Sequence, residues 1–218
     1  MKAINTVIFL VSTFFLTLQS TQAAVYISNL GETSLGAYSF SQNGPNGPEN
    51  LWFAQRFYTG TALGGYNLDS IELSLDGTGS PAGSVVVYLY GSTPSAPGAP
   101  EQTVNSVNPT VSGTYTFTAS GIILSPSTYY YIVATTTADP ATDPYAWNQS
   151  STYNFTSTDN WSIPQNHQCV STDGSHWIYS FISANPLQFA VNATAVPEPG
   201  ILSLTGIGLA LAFFRRRK

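Results

Sequence analysis

Between residues 24 and 196, runs of β-branched and aromatic residues recur about every ten residues, separated by clusters of Gly, Pro, Asn and Asp. No segment of this stretch spaces its apolar residues at the 3.6-residue period of an amphipathic helix. Turn residues at that frequency interrupt a helix before it can bury a stripe, whereas a strand of four to eight residues fits between them. The rhythm predicts an all-β fold, an antiparallel β-sandwich. Long, uneven loops favour a jelly-roll-like sandwich over a closed barrel.

Residues 66–75 carry the plainest strand signal. Ile71, Leu73 and Leu75 alternate with Glu72 and Ser74, as in a strand with one face in the core and one in water. Leu68 falls on the other parity, which predicts a bulge near Asp69 and Ser70. Residues 25–27, 35–40, 84–90, 113–117, 128–136, 145–148, 175–182 and 186–192 also read as strands. Residues 51–58, L-W-F-A-Q-R-F-Y, form a strand of another kind. Trp52, Ala54 and Arg56 share one face and Phe53, Gln55 and Phe57 the other, so neither face is purely apolar. Residues 43–48, with two Asn-Gly steps and two prolines, read as a loop, and 91–100 as an exposed, extended, proline-rich loop.

Both ends differ from this body. Lys2, the apolar run 7–18 and a polar stretch 19–22 with Thr21 and Ala23 at small-residue positions have the layout of a signal peptide, 1–23, cut between Ala23 and Ala24 by signal peptidase after export. At the other end Pro197, Glu198 and Pro199 precede an uncharged apolar run, 200–214, and four cations, Arg215, Arg216, Arg217 and Lys218. As a transmembrane helix that run is roughly 22 Å long, short against a hydrocarbon core of ~30 Å. It suits a thinned bilayer or a temporary span that a membrane protease later removes. The terminal cations would hold the tail on the cytoplasmic side and leave the body outside.

Charge then excludes whole classes. Arg56 is the body's one cation against ten carboxylates, a formal charge of −9, with no lysine. Binding nucleic acid requires cations to displace condensed counterions, so nucleic acid is not a partner. Association with an anionic membrane surface is disfavoured for the same reason. A single cysteine, Cys169, allows no internal disulfide.

The order Pro197-Glu198-Pro199, apolar helix, arginine cluster resembles the PEP-CTERM sorting signal of bacterial exported proteins. That resemblance covers the last tenth of the chain; the competing reading is an ordinary C-terminal anchor. It implies an exosortase-type processing enzyme as partner, and a cargo associated with exopolysaccharide and biofilm matrix. A second resemblance covers most of the body. A-Q-R-F-Y-T-G at 54–60, Y-N-L-D-S-I-E-L-S-L at 66–75, V-V-V-Y-L-Y at 85–90 and L-S-P-S-T-Y-Y-Y-I-V at 124–133 follow the order seen in the choice-of-anchor R domain. That family implies a β-rich surface domain and no catalytic residues. The expected division is a signal peptide 1–23, a sandwich 24–193 and a sorting tail 194–218.

Chemistry-bearing residues are sparse. His167, Cys169 and His176 with Asp173 lack the paired spacing of a zinc site. A Cys169–His nucleophilic pair would need a positive surround that this body lacks. No G-x-S-x-G elbow and no phosphate-cradling glycine loop occurs. No catalytic residue, metal ligand or cofactor is therefore assigned. Asp76, Asp139, Asp143, Asp159 and Asp173 lie in turns, where a structural calcium ion is the one cofactor to weigh against local hydrogen bonding. Trp147, Tyr153, Trp161 and Trp177, interleaved with Asn148, Asn154, Asn160 and Gln165, are the candidate glycan-binding set; packing within the sandwich is the competing account. The expected function is that of an exported, non-enzymatic cell-surface or matrix protein. A carbohydrate-binding module is the alternative, and a secreted hydrolase the third.

Overall fold

The structure, a computed structural model, describes residues 22–77, 83–93, 96–165, 167–179 and 185–197. Most of the expected signal peptide, the sorting residues Glu198 and Pro199, the helix 200–214 and Arg215 to Lys218 lie outside the described residues. No helix occurs among the described residues.

In chain order the strands are β1 (Ala24–Ser28), β2 (Ser34–Ser39), β3 (Ser41–Gly44), β4 (Gly47–Asn50), β5 (Trp52–Tyr58) and β6 (Tyr66–Asp76). There follow β7 (Val85–Ser92), β8 (Pro97–Val107), β9 (Gly113–Thr118), β10 (Ile123–Leu124) and β11 (Tyr129–Thr136). The last are β12 (Ala146–Ser150), β13 (Thr156–Ser157), β14 (Gln168–Ser171), β15 (Ile178–Tyr179) and β16 (Phe189–Ala195).

These form two main sheets in which the described pairs are antiparallel. The first runs β13-β1-β16-β6-β12-β2, with β9 and β10 also on β6. β6 is long enough to serve several partners: Ser70 to Leu73 pair with β16 on one edge and β9 on the other, and Leu75 pairs with Trp147 of β12 where β16 has ended. The second sheet runs β15-β14-β5-β11-β7-β8. Between the two lies one apolar core. Ile71, Leu73, Leu75, Phe189 and Val191 face it from the first sheet, and Phe53, Phe57, Ile132, Val87 and Leu89 from the second. Phe57 meets Phe189 across the layer at 6.4 Å, and Phe53 meets Tyr38 at 5.6 Å. Burying such side chains contributes ~1.5–3 kcal/mol each relative to exposure. The all-β antiparallel architecture is as the sequence predicts.

The predicted bulge is present. Asn192 pairs with Ser70 and Ala193 with Leu68, which leaves Asp69 as the extra residue and restores Leu68 to the core side. Two loop expectations are corrected. Residues 43–48 are the tip of the β3–β4 hairpin, where Gly44 pairs with Gly47 across Pro45-Asn46 and Gly47 takes a positive φ (+111°) that glycine adopts readily. Proline does not keep 97–100 out of the sheet either. β8 ends the sheet order among the described residues, so its far edge carries no strand ladder that proline would break, and register shifts against β7 absorb the irregularity.

Candidate functional site

β5 is buried on both faces, which a two-layer sandwich with one core does not require. Phe53 and Phe57 enter the inter-sheet core, while Trp52, Ala54 and Arg56 point away from it, as their alternation dictates. Register carries the outward face across the sheet. Cys169 lies beside Ala54, Ala54 beside Val133, and Val133 beside Tyr88. One step along, Arg56 lies beside Tyr131 and Tyr131 beside Tyr90. Ala54, Tyr90, Tyr131, Val133 and Cys169 form a second apolar cluster, with Trp52, Tyr88 and Trp177 packed over it.

β5 and β7 flank β11, so their axes stand ~9.6 Å apart. Trp52 and Tyr88 nevertheless stack at 5.4 Å between centroids and 28° between planes. Both rings therefore lean inward over β11. The connection from β14 to β15 crosses above them. Gly174 lies on the Trp52 indole, where an added Cβ would come within 3.2 Å of three ring atoms, and it takes a φ of +72°. The Tyr90 hydroxyl donates to Gly174 O at 3.4 Å, and Trp177 meets the Tyr90 ring edge-on at 5.9 Å. Asp173 shapes this strap by accepting from the backbone of Ser175 and His176 and from His176 Nδ1 at 2.6 Å. That exposed pair holds the Asp173 carboxyl well below the usual range and raises His176.

The body's one cation belongs to the same face. Arg56 is 7% exposed, its guanidinium is 3.8 Å from the centroid of the Tyr129 ring, and Nη1 is 3.1 Å from His167 Nδ1. Burial, and then the neighbouring Arg56 charge, lower the His167 pKa. Cys169 is 1% exposed, and burial pushes its thiol up to about 11 against the opposing pull of Tyr131 and Arg56. A nucleophilic cysteine needs the reverse, a depressed pKa and access. His167 is held by Arg56 and His176 by Asp173, while Cys169 is hydrogen-bonded by Tyr131, and no group of three His, Cys, Asp or Glu residues suited to a metal occurs among the described residues. The aspartates weighed for calcium accept hydrogen bonds within the body, local for Asp139 and Asp143 and long-range for Asp76 and Asp159. Asp139 accepts from Ala141 N, Asp143 from Tyr145 N, Asp76 from the Ser112 hydroxyl and Asp159 from the Tyr66 hydroxyl.

The four aromatics singled out for glycan do not come together. Trp147 is fully buried and donates its indole N–H to Gln188 O at 2.8 Å. Trp161, 1% exposed, packs against Phe57, Tyr66 and Tyr26 in the core. Neither offers a ring to a ligand. Tyr153 packs on Phe155 in a loop, and its hydroxyl is pushed up to about 12 by burial. Trp177 alone joins the outer aromatic cluster. Sequence reading missed Trp52 and Tyr88 as its companions. The one available signal was a strand, β5, with substantial side chains on both parities.

The tail leaves the fold at a defined point. Ala195 is the last paired residue of β16, opposite Tyr66. Val196 N then donates to Gly65 O at 2.9 Å, and Pro197 is exposed. A side chain at Gly64 would meet Val196 O at 2.4 Å, so the turn before β6 closes directly onto the exit. At the other terminus, strand pairing begins at Ala24, the first residue after the expected cut.

The fold and its exit define the class: an antiparallel β-body ending where a terminal sorting segment begins. The family model of the PEP-CTERM protein-sorting motif matches residues 195–218. The motif marks an exported protein, anchored in the membrane before processing and sorted through exosortase. No curated protein matches the sequence. Among solved structures, the chain is similar to the clostridial cysteine protease Cwp84 after propeptide cleavage. That match has 14% identity and a TM-score of 0.53, over 79% of this chain and 40% of that one. It is also similar to a structure of the cysteine protease and lectin-like domains of Cwp84, a surface layer associated protein of Clostridium difficile, at 14% identity and a TM-score of 0.50, over 74% and 36% of the two chains. Likeness at this identity shows the fold alone, and the chain spans about two fifths of those proteins or less.

Proposed function

We propose that the protein is a non-enzymatic component of the cell surface or extracellular matrix, with a sandwich body like the choice-of-anchor R domain. In this reading signal peptidase releases the body at Ala23–Ala24 after export. An exosortase-type enzyme acts at Pro197, Glu198 and Pro199, once Arg215 to Lys218 have held the tail across the membrane. The body is then delivered to exopolysaccharide. One observation carries the reading: the last backbone hydrogen bond of the described body, Val196 to Gly65, falls immediately before the sorting residues. Cutting beyond it removes no strand of the described body. The buried, high-pKa thiol of Cys169 and the separated histidines support a non-catalytic role.

The test is a comparison of cells with and without exosortase. With the enzyme, the body is recovered from the surface or medium without its basic tail. Without it, the full-length tail stays in the membrane fraction. Equal release from both strains contradicts the reading.

A further inference from the structure

We propose that the outer face of the six-stranded sheet binds a neutral polysaccharide, with the rings of Tyr88 and Trp177 as its platform. This deepens the surface-protein reading by naming its partner, and rests on that reading only for where the glycan is met.

The layers above the sheet are ordered. Gly174 of the strap lies against the Trp52 indole, and Tyr88 stacks on the same ring. Trp52 is thereby engaged by both the strap and β7. Tyr88, partly exposed, ends this stack, and a pyranose ring presenting its apolar C–H face continues it. Beside Tyr88 the sheet supplies Thr103 at the paired position of β8, exposed and able to donate to and accept from a sugar hydroxyl.

Trp177 supplies the second ring and an independent reason for a ligand. Its ring is partly exposed, yet its indole N–H is turned inward, buried and without a hydrogen-bond partner among the described residues. Of the two core tryptophans, Trp147 has its N–H bonded at 2.8 Å, while the unbonded N–H of Trp161 lies among core rings that no ligand reaches. Leaving a buried donor unsatisfied is unfavourable, so a rotation that carries the Trp177 N–H out to a sugar hydroxyl recovers a bond that the free protein lacks. Packing alone, chiefly the edge-on contact with Tyr90, opposes that rotation.

Charge selects the class of glycan. A body with one cation and ten carboxylates repels a polyanion over the whole surface. Arg56 is 7% exposed and already engaged by Tyr129 and His167. A neutral chain meets no such repulsion, and its binding does not depend on salt.

The experiment is affinity electrophoresis of the protein purified from exporting cells, in gels containing hydroxyethylcellulose, laminarin or dextran. Tryptophan fluorescence is read in parallel. At least one of these polymers should retard the wild type equally at low and high salt. Tyr88→Ala and Trp177→Ala should each weaken retardation about tenfold while remaining folded by far-UV circular dichroism at the assay temperature. Tyr88→Phe should restore it, and Tyr153→Ala should leave it unchanged. Three outcomes overturn the proposal: no retardation by any of the three polymers, wild-type retardation in folded Tyr88→Ala and Trp177→Ala, or retardation by alginate alone that salt abolishes. Tail processing is scored separately, so failure here leaves the sorting reading intact.

Discussion

Replacing Trp161 by alanine separates a core role from a ligand role at one position. The side chain is 1% exposed and lies parallel to Phe57, 5.7 Å between centroids and 9° between planes. It also packs edge-on to Tyr66 at 5.0 Å and tilted on Tyr26 at 5.2 Å. Truncating a buried tryptophan costs ~3–5 kcal/mol through lost transfer energy and the cavity left behind. Three ring contacts, each ~0.5–1.5 kcal/mol beyond area burial, place this site at the upper end. A loss of about 5 kcal/mol lowers the melting temperature of a body this size by roughly 10–20 °C. The assay is urea unfolding followed by far-UV circular dichroism, because fluorescence changes with the substitution itself. The midpoint should fall at an unchanged slope. A loss below about 1 kcal/mol would refute the core placement derived from burial and ring packing.

Three further outcomes follow from the outer face of the second sheet. Gly174→Ala should destabilise by about 1–2 kcal/mol in thermal unfolding, since its φ of +72° and the Trp52 ring at 3.1 Å both oppose a side chain. Cys169 should resist iodoacetamide at pH 7.5 in the folded protein and react on unfolding. Because burial raises its folded pKa to about 11, its contribution to stability is complete below the thiol's ordinary pKa and declines as pH rises toward 11. For His167 the sign is opposite. Its folded pKa is lowered, so the unfolded chain takes the proton first, and stability should fall as pH drops below ~6.5. His167→Gln should flatten that part of the pH profile; an unchanged slope between the two proteins would reject the assignment.

Local pattern showed much of the fold in the sequence. The alternation through β6 gave its core face, and the parity break at Leu68 located the bulge at Asp69. Other elements depend on neighbours that sequence does not display. Residues 97–107 join the sheet because β7 offers a free edge, although two prolines argue otherwise. β14, Gln-Cys-Val-Ser, has too little apolar character to announce a strand and is held by pairing with β5. Aromatic residues were the least legible. Trp147 and Trp161 sit among Asn and Ser, as exposed platform residues do, and only tertiary packing shows that both are buried. Trp52 was placed on the correct face with Ala54 and Arg56, but the second aromatic layer above that face comes from β7 and the strap, distant in sequence. The tail was the reverse case: its information lies in the order of its residues, and the family match at 195–218 reads that order directly.

The mass of the mature protein recovered from exporting cells tests the central claim most directly. The account predicts a chain that begins at Ala24, retains Val196 with its bond to Gly65, and ends within or just after Pro197 to Pro199, without Arg215 to Lys218. A mature chain that still carries those four cations would contradict it.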